Sequence, residues 1–298
     1  MQDQLMRIVS RGLTFIFILF TQYSLANNES VVDSIVSEIH NYRTKVFKCK
    51  DESQILVLND SLRASVEAFL NEEETFKLST DSVPFFGDLY SPDKAFRLLT
   101  WDVPFQDGTF TYFCYMQMAD GTWFELKDQP DHSERAEYKT FKHDDWLGAL
   151  YYEIIPFDIK KEQMYLLLGW DGRTNMSNRK IIEVLYFDNR GNPRFGKAVL
   201  KDGPRPKRRV ILEYTEDAYT SLRYHPKKKM VIFDHLEPMR PELEGVYEFY
   251  APVSSFDAYE LKSKGWEFQE DVDAREKKND KPYRNPKGDK TPVKTPKQ

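Results

Sequence analysis

The string Gly169-Trp170-Asp171-Gly172-Arg173 is where the sequence concentrates side chains able to hold a ligand. A Trp ring at a strand end can stack on a ligand. The adjoining carboxylate and guanidinium can then hydrogen-bond to it. Trp101-Asp102 repeats the Trp-Asp pair at a second strand end. Trp101, Trp170, Asp171 and Arg173 are therefore the ligand-binding candidates, suited to a sugar or a peptide. The competing reading is a Trp that covers a sheet edge beside a hairpin turn. Lys142-His143-Asp144-Asp145-Trp146 places two carboxylates beside a histidine. That grouping can do acid–base or metal work, but adjacent Asp residues ahead of a strand also form turns and caps. Asp234-His235 closes another strand and reads as structural. Asp188-Asn189-Arg190-Gly191-Asn192 and Asp271-Val272-Asp273 are Asp-rich turns. Neither has the distal Glu of a calcium loop, and an Arg interrupts the first.

No motif names a chemistry. There is no Gly-x-Ser-x-Gly elbow, no His-Glu-x-x-His, no Gly-rich phosphate loop and no dinucleotide fingerprint. No catalytic residue, metal ligand or cofactor is assigned from the sequence. A catalytic set can still assemble in space. Cys49 and Cys114 are the two cysteines. They are too few for a Cys-rich zinc site, though export would permit a disulfide between them.

Two helices and a series of strands must position these groups. Val32, Ile35, Val36, Ile39 and Val46 recur at helical spacing over residues 31–48. Asp51 starts a second helix with Gln54 at the capping-box position, and Ile55, Leu58, Leu62, Val66 and Phe69 form its stripe. Each has one apolar face, so the pair, within residues 27–76, is expected to pack on a larger body. From Phe96 onward, aromatic and β-branched runs alternate with turn signals, including Asp-Gly at 107–108, 120–121, 171–172 and 202–203. About eleven strands are expected, at 96–101, 110–118, 122–126, 149–155, 164–170, 180–187, 197–200, 209–214, 221–224, 230–233 and 246–250. Short links without helical crossovers imply a mainly β domain over residues 77–274. Its connections are an antiparallel meander, closing as a sandwich, a barrel or propeller-like blades.

Residues 1–26 have a secretory layout. Arg7 and Arg11 precede the apolar run Leu13–Phe20, and Ser24-Leu25-Ala26 is a small-x-small cleavage signature. The run is too short to span a bilayer as a helix. The expectation is an exported protein of the periplasm or cell surface, without a transmembrane span once residues 1–26 are removed. Charge divides unevenly. Residues 275–298 carry nine basic and three acidic side chains, whereas residues 27–274 carry 32 basic and 44 acidic. The tail is poor in apolar residues and is expected to be disordered. The acidic body argues against nucleic acid as a partner.

Trp146-Leu147-Gly148-Ala149-Leu150-Tyr151-Tyr152, Leu167-Leu168-Gly169-Trp170-Asp171-Gly172 and Ser177-Asn178-Arg179-Lys180-Ile181-Ile182-Glu183-Val184-Leu185 follow the exported start and the helical hairpin. Together they resemble a group of uncharacterised exported proteins common in Bacteroidota. The resemblance covers residues from about 30 to 270 and implies compartment and lineage, with no activity or site attached. It also draws attention to Asp33-Ser34-Ile35, Asp60-Ser61-Leu62 and Asp81-Ser82-Val83, because that lineage O-glycosylates exported proteins at Asp-Ser-apolar triplets.

Three functions follow in order of fit. The first is a non-enzymatic binding or envelope-assembly protein with an envelope protein or glycan as partner. It requires an exposed apolar or aromatic patch. The second is a secreted hydrolase acting on glycans or peptides, with Asp144, Asp145, Asp171 and Asp234 as the carboxylates to locate. It requires two of them in one pocket. The third is a stalk whose basic tail docks to the envelope.

Overall fold

A computed structural model describes residues 30–129 and 135–274. The expectations for residues 1–26 and 275–298 lie outside the described residues.

Helix α1 covers residues 30–48, and Val32, Ile39 and Val46 are its buried stripe. Helix α2 runs Glu52–Asn71. Asp51 is its N-cap, and its carboxylate accepts the Ser53 and Gln54 N–H groups at 3.0 and 3.3 Å. The helices lie on the first of three four-stranded antiparallel meanders. That meander comprises β1 (Gly87–Tyr90), β2 (Phe96–Pro104), β3 (Phe110–Met118) and β4 (Trp123–Lys127), in that order. Alternation sends its side chains to two different cores. Leu99, Trp101, Val103 and Tyr115 meet the helices. Phe96, Leu98, Cys114 and Met116 face the second meander.

The second meander contains β6 (Leu150–Ile159), β7 (Glu162–Asp171), β8 (Ser177–Phe187) and β9 (Pro193–Phe195). It is extended by β5 (Phe141–Lys142) beyond β9 and by β11 (Arg209–Thr215) along β8. This sheet is covered on both faces, which explains its near-continuous apolar runs. Tyr165, Leu167, Ile181 and Leu185 face the first meander. Leu166, Leu168, Ile182 and Val184 face the third.

The third meander is β12 (Leu222–His225), β13 (Met230–Pro238), β14 (Tyr250–Lys262) and β15 (Gly265–Gln269). Strand β10 (Leu200–Lys201) joins its edge by pairing parallel to β15. The described residues thus form four layers, one of helices and three of stacked sheets, with no closed barrel among them. Among the described residues, no helix is long and apolar enough to cross a membrane.

Several expectations are corrected. Of the expected strand 246–250, only Tyr250 is in a strand, as the first residue of β14. Gly245 has φ +84° and residues Tyr247–Phe249 form a single 3-10 turn that leads into β14. Four strands, β1, β5, β9 and β15, lie outside the eleven expected runs, and most of β14 does too. The β10–β15 pair is parallel. Asp-Gly turns close hairpins at 107–108 and 120–121. There Gly108 and Gly121 take positive φ, and the Asp carboxylates accept the N–H groups of Thr109 and Thr122. Asp171-Gly172 is different. Gly172 stays at ordinary φ, and its lack of a side chain lets Phe110 and Trp170 close over it. A Cβ there would sit 2.6 Å from each ring.

Candidate functional site

Strand pairing lines up three charges across the second sheet. Asp171 on β7 opposes Arg179 on β8, and Arg179 opposes Glu213 on β11. Two rungs further along the same face, Leu167, Glu183 and Arg209 are aligned in the same way. Both rows face the first meander. One row is sealed and the other opens to a cleft.

The sealed row is completely buried. Arg209 Nε donates to Glu183 Oε1 at 2.6 Å, and the Tyr151 hydroxyl donates to Glu183 Oε2 at 2.5 Å. Trp146 Nε1 donates to the Tyr151 oxygen at 3.0 Å. The remaining Arg209 N–H groups reach the carbonyls of Ala136, Lys139 and Phe195. Every charge there has a partner, as a buried ion pair requires. Its chemistry is structural.

Asp171 and Arg179 of the open row form one wall of a cleft of about 230 Å³, with Glu213 bonded behind Arg179. Tyr112 and Phe110 from β3 form the facing wall. Asp128, just beyond β4, and Arg173, just beyond β7, complete it with Leu147. The Tyr112 hydroxyl donates to Asp171 Oδ1 at 3.1 Å and accepts the Gly172 N–H at 2.7 Å. Arg179 approaches Asp171 Oδ2 at 3.7 Å and bonds through Nε to Glu213 Oε2 at 3.0 Å. Glu213 also accepts the Ser177 hydroxyl at 2.7 Å and pairs with Arg173 Nε at 3.4 Å. Asp128 accepts the Tyr112 backbone N–H at 3.0 Å through Oδ2. Its Oδ1 lies against Gly148, which has φ +79° and where a Cβ would come within 2.3 Å of that oxygen. Among the described residues, Asp128 has no ion-pair partner.

Electrostatics follow from this enclosure. Burial pushes the Asp128 carboxyl up to about 6. The Asp171 charge adds to the rise, and the Tyr112 N–H opposes it. Burial also raises Asp171, against the pull of Arg179, Tyr112 and Arg173. The Tyr112 phenol is raised by burial and by Asp171. Arg179 is lowered by burial, against the pull of Glu213. A carboxyl near 6 can hold or release a proton at neutral pH. The guanidinium of Arg173, one-third exposed, has N–H groups to spare.

The sequence candidates separate. Asp171 and Arg173 meet in the cleft. Trp170 is the neighbour of Asp171 on one strand and so projects to the opposite face, in register with Lys180. Only the far end of its ring reaches over Gly172 to meet Phe110 edge-on, with centroids 5.6 Å apart. Trp101 is not at the site. It is fully buried under the helices, stacked against Phe86, Phe113 and Tyr115, and donates Nε1–H to Asn59 at 2.8 Å. Its partner in sequence, Asp102, anchors Arg43 of α1. Cys49 and Cys114 are free thiols. They lie on opposite sides of the first sheet, Cys49 beside the helical core and Cys114 between the sheets, so no disulfide joins them.

Asp144 and Asp145 are exposed in the turn after β5, and the Asp234 carboxylate accepts the Ser221 N–H at the third meander. The second carboxylate beside Asp171 is Asp128, which no sequence pattern marks. Asp188 is held by its own turn and by Arg194 at 2.7 Å. Among the described residues, no cluster of His, Cys, Asp or Glu has the arrangement of a metal site. Of the Asp-Ser triplets, Ser34 and Ser61 are helical and Ser82 is exposed in a turn. The chain matches no protein-family model, no curated protein and no solved structure.

Proposed function

We propose that this is an exported, non-enzymatic binding protein of the periplasm or cell surface that takes a neutral polyhydroxylated group, a sugar ring, at the Asp128–Asp171–Arg173 cleft. The observation that carries the reading is a pair of unspent groups facing one space. Asp128 is an acceptor with a single backbone bond, and Arg173 is a donor with one long ion pair. Phe110 and Leu147 supply apolar wall beside them. Such a mixture of a few polar groups on apolar lining is how small-ligand sites fix orientation. The cleft is smaller than the roughly 300–1,000 Å³ of sites for drug-sized molecules, which favours a single ring at the end of a chain. The two guanidinium groups that line it, of Arg173 and Arg179, match its two carboxylates, of Asp128 and Asp171, which favours a neutral ligand over an ion. The secretory layout of residues 1–26 supports the compartment, as does the resemblance to exported proteins of Bacteroidota.

The test is calorimetric titration of the purified protein with neutral mono- and disaccharides, repeated with Arg173→Ala and Asp128→Asn. Binding that weakens in both variants supports the reading. Binding that ignores both, or no binding to any neutral sugar, removes it.

A hydrolase is the second reading, favoured by one specific feature. Asp128 near 6 and Asp171 are two carboxyl groups in different environments in one cleft, the usual basis for an acid and a base. Against it, Asp171 is already engaged by Tyr112 and Arg179. Turnover of a glycoside that vanishes in Asp128→Asn would put this reading first.

A further inference from the structure

The core between the second and third sheets is left open at one place. There a pocket of about 210 Å³, lined mostly by carbon, lies between β11 and the third meander. Leu212 of β11 and Phe233, Tyr259 and Phe268 of the third meander wall it. The turn Tyr247–Phe249 packs on β11, and Tyr247, 57% exposed, joins the lining with Tyr250. The polar group among these walls is His235. It sits where the β13–β14 register slips between Asp234 and Leu236, and such a bulge re-aims a side chain. Its Nδ1 is 2.6 Å from Oδ2 of Asp257, a residue only 5% exposed whose Oδ1 accepts the Asp271 N–H at 3.2 Å. A carboxylate can only accept, so Nδ1 carries the proton. Among the described residues, Nε2 makes no hydrogen bond. Glu237 Oε1 is 3.7 Å away, beyond bonding reach, on a side chain 59% exposed. The other charges at the pocket are taken. Lys207 pairs with Asp202 at 3.0 Å, Glu213 with Arg179 at 3.0 Å, and Asp234 accepts the Ser221 N–H.

With these charges already paired, the pocket has no counter-ion to give an ionic ligand. Its apolar walls would strand the several hydroxyls of a sugar. Protein interiors are filled to near crystal density, and a carbon-lined recess of this size is unfavourable to fill with water. A cavity of about 150 Å³ is enough for benzene, so this one admits one aromatic ring with a small substituent. The imidazole selects the substituent. Its Nε2 accepts a hydrogen bond when neutral and donates one when protonated, and a hydroxyl answers both. We infer that this pocket is a second binding site, separate from the cleft, for a phenol. The aromatic ring lies between Leu212 and the rings of the third meander. The phenol hydroxyl bonds to Nε2 of His235, and Asp257 acts as the positioning residue that fixes the imidazole.

The test is titration of the isotope-labelled full chain with phenol, benzene, benzoate and glucose, followed by NMR. Phenol is expected to shift the His235 and Phe268 resonances saturably, with a Kd on the order of 1 mM for so few atoms. Benzene is expected to bind at the same place about tenfold more weakly, for want of one hydrogen bond. His235→Asn keeps an amide N–H where the Nδ1–H stands, so Asp257 retains a donor, and it removes Nε2. This variant is expected to bring phenol down to the affinity of benzene and to leave benzene unchanged, which also reports that the pocket has kept its shape. Leu212→Trp fills the pocket and is expected to abolish both. Asp128→Asn is expected to change neither, so a failure of the neutral-sugar cleft and a failure of this site read out separately. No saturable shift with phenol, benzoate or glucose bound more tightly than phenol, benzene equal to phenol in the native protein, or phenol affinity unchanged by His235→Asn would each overturn the assignment.

Discussion

Asp128 enters the cleft at the end of β4 with one backbone N–H for company, and its enclosure has a consequence for stability. Its carboxyl stands at about 6 when folded, against 3.8 unfolded. Between those values the folded chain binds the extra proton, so stability falls as pH rises from about 4 to 6 and then levels. Asn at this position keeps an acceptor for the Tyr112 N–H and carries no charge. Asp128→Asn is therefore expected to exceed the native protein in stability at pH 7 by up to ~3 kcal/mol, with the gap closing as pH is lowered through 6 towards 4. Urea unfolding across that range measures it. A gap independent of pH would mean that the carboxylate is solvated. Asp171 and Arg173 were legible in the sequence because a turn signal follows a strand. Asp128 was not, since its importance comes from β3 and the residue-148 turn meeting it in space. The Trp pairs misled for the same reason. A Trp-Asp dipeptide in a strand sends its members to opposite faces, and Trp101 was claimed by the helical core.

Charged residues inside apolar strand patterns were the overlooked signal at the level of elements. Glu183 interrupts Ile181–Leu185, and Arg209 opens the run of β11. Each would be costly alone in a covered sheet. Their register, Arg209 opposite Glu183, is what holds β11 along β8. Arg209→Met keeps much of the volume but strands Glu183 without its cation and releases three backbone carbonyls. A cost of about 3–5 kcal/mol is expected, measurable by chemical denaturation. Replacing both members with apolar residues should recover much of it, because the pair itself contributes little net energy. The long, aromatic strands were legible from alternation and Asp-Gly turns, and β3 matches its expected limits at both ends. Those without a dense apolar run were not. Strand β14 carries Pro252, Ser254 and Ser255 in a stretch with no buried residue and is recruited by the partners on either side of it. Strands β5 and β10 are two residues long and exist only as edges of neighbours.

The second sheet belongs to two cores at once, and this governs how the whole molecule comes apart. Its residues Tyr165 and Leu167 complete the core against the first meander, and Leu166 and Leu168 complete the core against the third. Removing either outer layer exposes a broad face of buried apolar side chains, and on the side of the first meander the Glu183–Arg209 pair as well, so neither is expected to unfold alone below the global transition. Cys114 reports on one of these interfaces. It is 1% exposed between the first and second sheets, and burial raises its thiol far above the reactive range. Cys49 lies at the end of α1 and is partly exposed. Under native conditions an alkylating reagent should modify Cys49 and spare Cys114. With increasing urea, labelling of Cys114 should rise in the same transition as the fluorescence of Trp266, which is buried in the other core. Coincident midpoints are the mark of one cooperative unit. Early labelling of Cys114, ahead of Trp266, would instead divide the molecule between the first and second sheets, and the Asp128–Asp171 cleft, built across that same seam, would open with it.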